Sequence, residues 1–450
     1  MANDYGINQY IYDSRISSED IERIVSSPIS KRYTKVYLLH QDETPAKDIT
    51  EWVQASGSIE KNFESGQSYS TSLTLINPLV KTPINKSNLE SIYTWYTDLA
   101  GEAYTTLTGE PYFSTELRDQ AYSRYVNEEE KSRFNPLKRY DDFEANTKVQ
   151  ITSVVELNGE QFEIPQGVFV VHDPKMSESE ANKSVSIQLY DKFALLDGTI
   201  SGDGEFEYEI PYGTKIRDAI VQLLRLPRNK KGEPFDFKDI RFPVKHKDAI
   251  LAYTIKKTGD NAIGELIKEM CLSISCGVRY DEFGYLTVTE ENEYLESQYH
   301  PVTWNFEPKD YNAPSLDIKR SQVKNRVVVE GANINGILCR GEAENTNIGS
   351  LYSVYGPFGT RSKKITDSLI PSHQLCRDRA RYELQMSMRK YISLSFQCSW
   401  IPHLKPGDII RWTKPEWQIW EEEFIINSIS LPVNGTEMMS ISATNLNEIS

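Results

Sequence analysis

Six histidines, five cysteines and 65 carboxylates are foremost among the side chains of this 450-residue chain able to move protons, attack carbonyls or hold metals. The histidines stand at 40, 172, 246, 300, 373 and 403, with no pair at metal-ligand spacing. Cys271 and Cys276 lie nearest to each other, and no Cys or His pair beside them completes a zinc site. A Cys–His nucleophile pair meets in space rather than in sequence. Cys276 and Cys398, however, fall on the apolar side of strand patterns, the place of small core residues. Glycoside cleavage needs two carboxylates facing across a groove. Glu51, Glu64 and Asp281 qualify by type alone, and Asp281 with Glu282 falls in a hairpin turn where Asp is favoured by conformation. There is no Gly-x-Ser-x-Gly elbow, no phosphate-cradling Gly-x4-Gly-Lys-Ser/Thr, no dinucleotide fingerprint and no His-Glu-x-x-His. The sequence therefore predicts no enzyme, no catalytic residue, no cofactor and no metal.

Binding is the other chemistry to seek. Trp412, Trp417 and Trp420 cluster, as a hydrophobic plug on a barrel end, a subunit contact or a sugar-stacking platform. Trp95 with Tyr93 and Tyr96 reads as helix packing. A basic loop, Arg228-Asn229-Lys230-Lys231-Gly232, offers a second contact surface, so Arg228, Lys230 and Lys231 join the three tryptophans as expected partner-binding residues. The net charge of −15 opposes a grip on nucleic acid through phosphate contacts. It permits a surface past which DNA slides, whose lumen would then be acidic.

Strands must position most of these residues. Ile392, Leu394, Phe396, Cys398 and Trp400 alternate with Ser393, Ser395, Gln397 and Ser399, one dry face and one wet face. A turn through Pro406-Gly407-Asp408 leads into a second strand at Ile409-Ile410. The same period runs through Tyr69 to Ile76, where Thr71, Leu73 and Leu75 face away from Ser70, Ser72 and Thr74. It recurs at Tyr33–Leu39, at Val149, Ile151 and Val155, at Val168 and Val170, and at Val185, Ile187 and Leu189. Twenty-six tyrosines suit half-exposed strands and subunit interfaces. Helical spacing appears at Ile216–Leu224, stopped by Pro227, at Ile263–Met270, and in the stripe Cys376, Ala380, Leu384 and Met388. Asp281–Gly284, Asn335-Gly336 and Asn434-Gly435 predict hairpins.

A chain of this length exceeds one compact core. The boundaries expected are an arm at 1–30, a first β-barrel at 31–200 with an insertion at about 83–146, a mixed α+β domain at 201–322, and a second barrel at 323–450 with an inserted helix. The arm carries a short helix through Ile21, Ile24 and Val25, capped by Ser17 or Ser18 and stopped by Pro28, which needs a surface such as a neighbouring subunit to pack on. The charged stretch Glu128–Arg133 lies in the insertion. No basic-then-apolar leader opens the chain, no run of 18 apolar residues predicts membrane insertion, and the odd cysteine count suits a reducing compartment.

Several segments together resemble the phage tail baseplate hub family, the late-control-D-like tail-tip proteins. They are Trp52-Val53 through Leu75-Ile76-Asn77, Leu189 through Asp197, Ile274–Arg279 through Gly284-Tyr285-Leu286, and Lys324 through Gly331. The helix, strand and Pro-Gly-Asp turn from Ser372 to Trp412 complete the set. The resemblance implies a mainly β fold with an α+β middle: two tube-like antiparallel barrels, a mixed domain and an inserted helical or loop region. It implies a structural hub, a homotrimer whose paired barrels match a sixfold tail tube to a threefold tip and line a DNA channel. Its partners would be further copies of itself, a tail tube or distal tail ring protein, a spike or tip protein and a tape-measure protein, with DNA passing transiently and unspecifically. Its place would be the virion tail tip, after assembly in the host cytoplasm. A receptor- or glycan-binding tail-tip module is the alternative, and a cell-wall hydrolase a second.

Overall fold

Period-two alternation builds most of this chain, and thirteen of its strands share one hydrogen-bonded sheet. The computed structural model describes residues 23–24, 31–40, 42–54, 57–63, 66–76, 147–178, 183–202, 208–229, 232–251, 254–257, 262–290, 302–320, 323–334, 336–389, 392–435 and 437–445. The expected insertion at 83–146 and most of the arm lie outside them.

Strands β1 (Lys31–Leu39), β2 (Pro45–Asp48), β3 (Ser58–Asn62), β4 (Tyr69–Ile76), β5 (Lys148–Leu157), β6 (Glu160–Glu178) and β7 (Lys183–Asp191) pair in the order β3-β4-β7-β6-β5-β1-β2. The ribbon returns on itself, because Val53 bridges Leu75 and the Gln54 N–H donates to the Thr74 carbonyl at 2.7 Å. Such closure removes strand edges that would otherwise recruit other chains. Val36, Leu75, Ile151 and Phe169 fill the interior. An Asn-Gly pair beyond the two expected, Asn158-Gly159, joins β5 to β6 with both residues at positive φ, as a two-residue I′ turn requires. From the arm, Ile24 packs against its own barrel and Arg23 pairs with Glu160 at 3.3 Å.

The middle of the chain has its own core around β8 (Tyr208–Ile210), α1 (Ile216–Leu224), β9 (Ile255–Lys257), α2 (Ile263–Ser273) and the hairpin β10 (Cys276–Tyr280) with β11 (Leu286–Glu290). Next come β12 (Val302–Phe306) and β13 (Tyr311–Ile318), then β14 (Arg326–Ile334), β15 (Ile337–Glu344), β16 (Ser362–Thr366) and α3 (His373–Arg389). The chain finishes with β17 (Ile392–Cys398), β18 (Ile409–Lys414), β19 (Ile419–Pro432) and β20 (Met439–Asn445).

The second barrel runs β13-β17-β20-β19-β18-β12, around Phe306, Tyr311, Phe396, Trp412 and Phe424. Phe306 and Phe396, from strands far apart in that order, stand 4.8 Å apart edge to face, so the sheet is rolled. Its first two strands come from the stretch expected in the mixed domain, and 323 is not where this barrel begins. Alternation fails there because Ala313, at φ 46, and Pro314 sit in a bulge, which hides the period. The expected inserted helix arrives with three strands, since α3 lays Cys376, Ala380, Leu384 and Met388 into a core it shares with β14 and β15. Gly336, at φ 84, lies in the β14–β15 turn, where Ile334 pairs with Ile337, and Asn434-Gly435 falls in the longer loop of the antiparallel β19–β20 hairpin.

The two barrels are one sheet. Strand β19 pairs antiparallel with β3, Ile429 opposite Lys61 and Leu431 opposite Ile59, so their apolar interiors form one continuous cluster.

Candidate functional site

Several of the residues chosen for their chemistry lie in the core or hold a turn. All five cysteines are buried and free. Burial pushes the Cys398 thiol up to about 12, and burial with neighbouring Cys339 pushes Cys376 up to about 11, so neither is poised as a thiolate. His403 is held down at about 4 by burial and by Lys405, and packs edge-on against Trp304 at 5.8 Å. Asp281 accepts from the Phe283 and Tyr285 N–H groups and pairs with Arg241 at 2.8 Å, which fixes the β10–β11 turn. No group of three metal-ligating side chains occurs among the described residues. Glu64 and His300 lie outside them, as do Trp95 and its tyrosine neighbours.

The expected partner-binding residues separate. Trp412 is 0% exposed, wedged among Tyr311 at 5.0 Å, Phe424 at 6.3 Å and Phe396 at 6.5 Å, so it is core and reaches no partner directly. Its position on β18 alternates inward, which the clustering of tryptophans in sequence obscured. Trp417 is 39% exposed and rests on Trp412 at 5.7 Å, while Trp420 stands 66% exposed. Arg228 is tied to Glu233 at 3.2 Å and takes up the turn of its loop. Lys230 and Lys231 lie outside the described residues.

What sequence reasoning missed is a buried polar junction. Glu43, at φ 64 in the β1–β2 turn and with its side chain 2% exposed, has Lys148, Lys192 and Lys238 each at 2.6 Å. Lys192 is wholly buried. It also pairs with Asp236 at 2.7 Å and donates to the Gly284 carbonyl at 2.9 Å, and the Tyr280 hydroxyl donates to the same Asp236 carboxylate. Burial alone would raise the Glu43 carboxyl, but Lys192 and Lys148 hold it down at about 2. Barrel residues (Glu43, Lys148, Lys192) thus meet middle-domain residues (Asp236, Lys238, Tyr280) in one ionic cluster. The available signal was Asp191-Lys192 inside an apolar run, where a lysine must find a carboxylate or leave the core.

The hairpin tip continues to the second barrel. Glu282 pairs with Lys405, whose backbone N–H donates to Asp408 at 2.8 Å. Lys61 donates to Gln166, and Gln166 to the Pro402 carbonyl at 3.0 Å, which ties the barrels directly. Gly407, at φ 95, lies so close to Phe63 that a Cβ there would come within 2.4 Å of its ring. The Pro-Gly-Asp turn that dominates the sequence is therefore where barrel meets barrel. The arrangement can transmit position from one barrel to the other.

A fold of two barrels fused edge to edge, with a mixed domain wedged at their junction, has counterparts among solved structures. A tail protein from Neisseria meningitidis MC58 matches with a TM-score of 0.55 at 9% identity, covering 93% of this chain and 98% of that one. The 43 kDa tail protein of prophage MuSo2 from Shewanella oneidensis matches at 0.52 with 14% identity, covering 93% and 100%. The chain has a phage tail protein fold. No family model matches the sequence, and no curated protein matches it. At such identities the tail-protein likeness rests on the path of the chain, matched over nearly the full length of both partners. No helix among the described residues is long and apolar enough to cross a membrane.

Proposed function

We propose that this tail-fold protein is the structural hub of a phage tail or tail-like injection machine, a homotrimer that joins a sixfold tail tube to a threefold tip or spike and surrounds the DNA channel. The observation that carries the reading is the β3–β19 pairing, which sets two barrels side by side in one sheet. Three such chains would offer six barrel faces with closed rotational symmetry, which lets one chain build a ring without open-ended growth. On this reading a tail tube or distal ring protein seats on one side and a spike or tip protein on the other, with a tape-measure protein inside before DNA leaves. Assembly takes place in the host cytoplasm and the chain ends in the virion tail tip. Electron microscopy of purified tail tips with native mass measurement tests it. Three copies around the axis are expected, and a monomer within assembled tips would sink the reading.

Exposed Trp420 and Trp417 favour one second reading, a module that stacks on host sugars. Cell-wall polymer binding by the purified chain, lost in Trp417→Ala/Trp420→Ala, would support it. Unchanged host range in that variant would remove it.

A further inference from the structure

The outer face of the joined sheet has a composition that ordinary solvent faces lack. Across it Gln397 lies opposite Ser440, Ser440 opposite Ser430, Ser430 opposite Glu60, and Glu60 opposite Ser70. The next row runs Ser395, Ser442, Ser428 and Asn62. Beyond β4 the pattern continues, with Ser72 opposite Gln188 and Thr74 opposite Ser186. Six strands from β17 to β7 thus carry one hydroxyl and amide face, about 24 Å wide at the usual strand spacing. Tyr190 and His172 bound it on one side, their rings 5.5 Å apart, and exposed Lys175 of β6, opposite Ser186, stands at that same edge. Many of these hydroxyls are held: Ser430 and Ser58 both donate to Glu60, at 2.6 and 2.5 Å, and Ser72 meets Ser186 at 3.4 Å.

Three kinds of partner are poorly served by such a face. Stable protein contacts need aromatic or arginine anchors in pockets, and between its bounds this face has neither. Phosphate binding needs Lys or Arg, and none points outward from the described side chains of β3, β4, β7, β17, β20 or the Ser428–Pro432 half of β19; Lys61, the lysine of β3, is turned into the barrel. Plain solvent exposure usually brings interspersed charges of both signs, yet in a chain with 26% charged residues Glu60 is the charge among these rows.

Resting on the hub reading above, we propose that this face is the wall along which duplex DNA moves, a hydroxyl surface that offers phosphates no hold. The expected acidic lumen gives way here to a nearly neutral one. A wall without cations adds no counterion-release term to hold the duplex, so sliding needs no strong repulsion. The test is the triple variant Ser72→Lys/Ser395→Lys/Ser430→Lys in the full chain and in assembled particles, beside a Ser→Gln triple at the same positions. A further control places lysines at exposed Ile348, Leu351 and Tyr355. With a short labelled duplex, the native chain should show no saturable binding near physiological salt. The lysine triple should bind with a salt slope of up to about 0.9 per lysine that reaches a phosphate. Particles carrying it should release DNA at least about tenfold more slowly, while both controls release at the native rate. Native-rate release from the lysine triple, or salt-dependent duplex binding by the native chain, would overturn the proposal. Loss of tail assembly by folded Lys and Gln triples would make the face a protein contact, which overturns the inference and leaves the hub standing. Absence of the native chain from assembled tips would instead remove the hub reading.

Discussion

A carboxylate with three ammonium groups at 2.6 Å and almost no solvent has one favourable state, the ionised one, and Glu43 is that carboxylate. Glu43→Gln removes the carboxylate charge that Lys148, Lys192 and Lys238 share, leaving Lys192 only the Asp236 carboxylate and Lys238 the Phe283 carbonyl. Breaking a buried pair on one side costs about 3–5 kcal/mol, and a lowered urea midpoint at pH 7 measures it. The pH dependence has a definite sign. A carboxyl lowered from 4.5 to about 2 contributes stability that is full above its unfolded value and fades as pH falls through the folded one. The gap between native protein and Glu43→Gln should therefore close between about pH 4.5 and 2. His403 acts in a higher window. Folding lowers it from 6.5 to about 4, so its neutral form contributes stability above about pH 6.5 that is lost on acidification towards 4. His403→Phe should flatten the stability profile in that window and leave the lower one intact.

Turns and close approaches decide how the elements meet. Gly407→Ala must hold φ 95 and displace the Phe63 ring, at a cost of about 2–4 kcal/mol. Adding Phe63→Ala should recover the steric part of that loss and none of the backbone part, which a double-mutant cycle in urea separates. At Gly341 a Cβ would lie 2.2 Å from the Arg377 backbone nitrogen, so α3 has no room to stay seated on β15. Gly341→Ala should loosen α3 by about 3 kcal/mol and break the Arg379 tie to the Leu272 carbonyl, now 2.8 Å. Rapid tryptic cleavage at Arg377, Arg379 or Arg381 is the readout, and a native digestion pattern would contradict it. Element type was legible where periodicity was long: α3's stripe and the β17 alternation are both as the residues predict. It was illegible where β13 is bulged, because one inserted residue flips the faces and erases the period.

At the scale of the molecule, the β3–β19 ladder and the shared interior make two barrels one cooperative body. Calorimetry should show both barrels melting in one transition, and Lys61→Pro, which removes a ladder hydrogen bond in an interior strand, should lower it for both. Separate barrel transitions in the native chain would refute this. The likeness to tail proteins belongs to the same scale, since it appears in the path of the chain at 9–14% identity.

Sequence alone determined many of the strands, the three main helices, the places of the hairpins and the resemblance to hub proteins, because alternation and turn chemistry act over a few residues. It also marked Pro406-Gly407-Asp408 as special without saying why. Tertiary structure alone decided that β12 and β13 complete the second barrel, that Trp412 is core while Trp420 is surface, and that Glu43 meets lysines from three separate segments. Each of those outcomes depends on pairing register or on burial among residues far apart in the chain. Local pattern carries no information about such partners, whereas desolvation, which makes an unpaired buried charge so costly, acts only once the chain has closed around it.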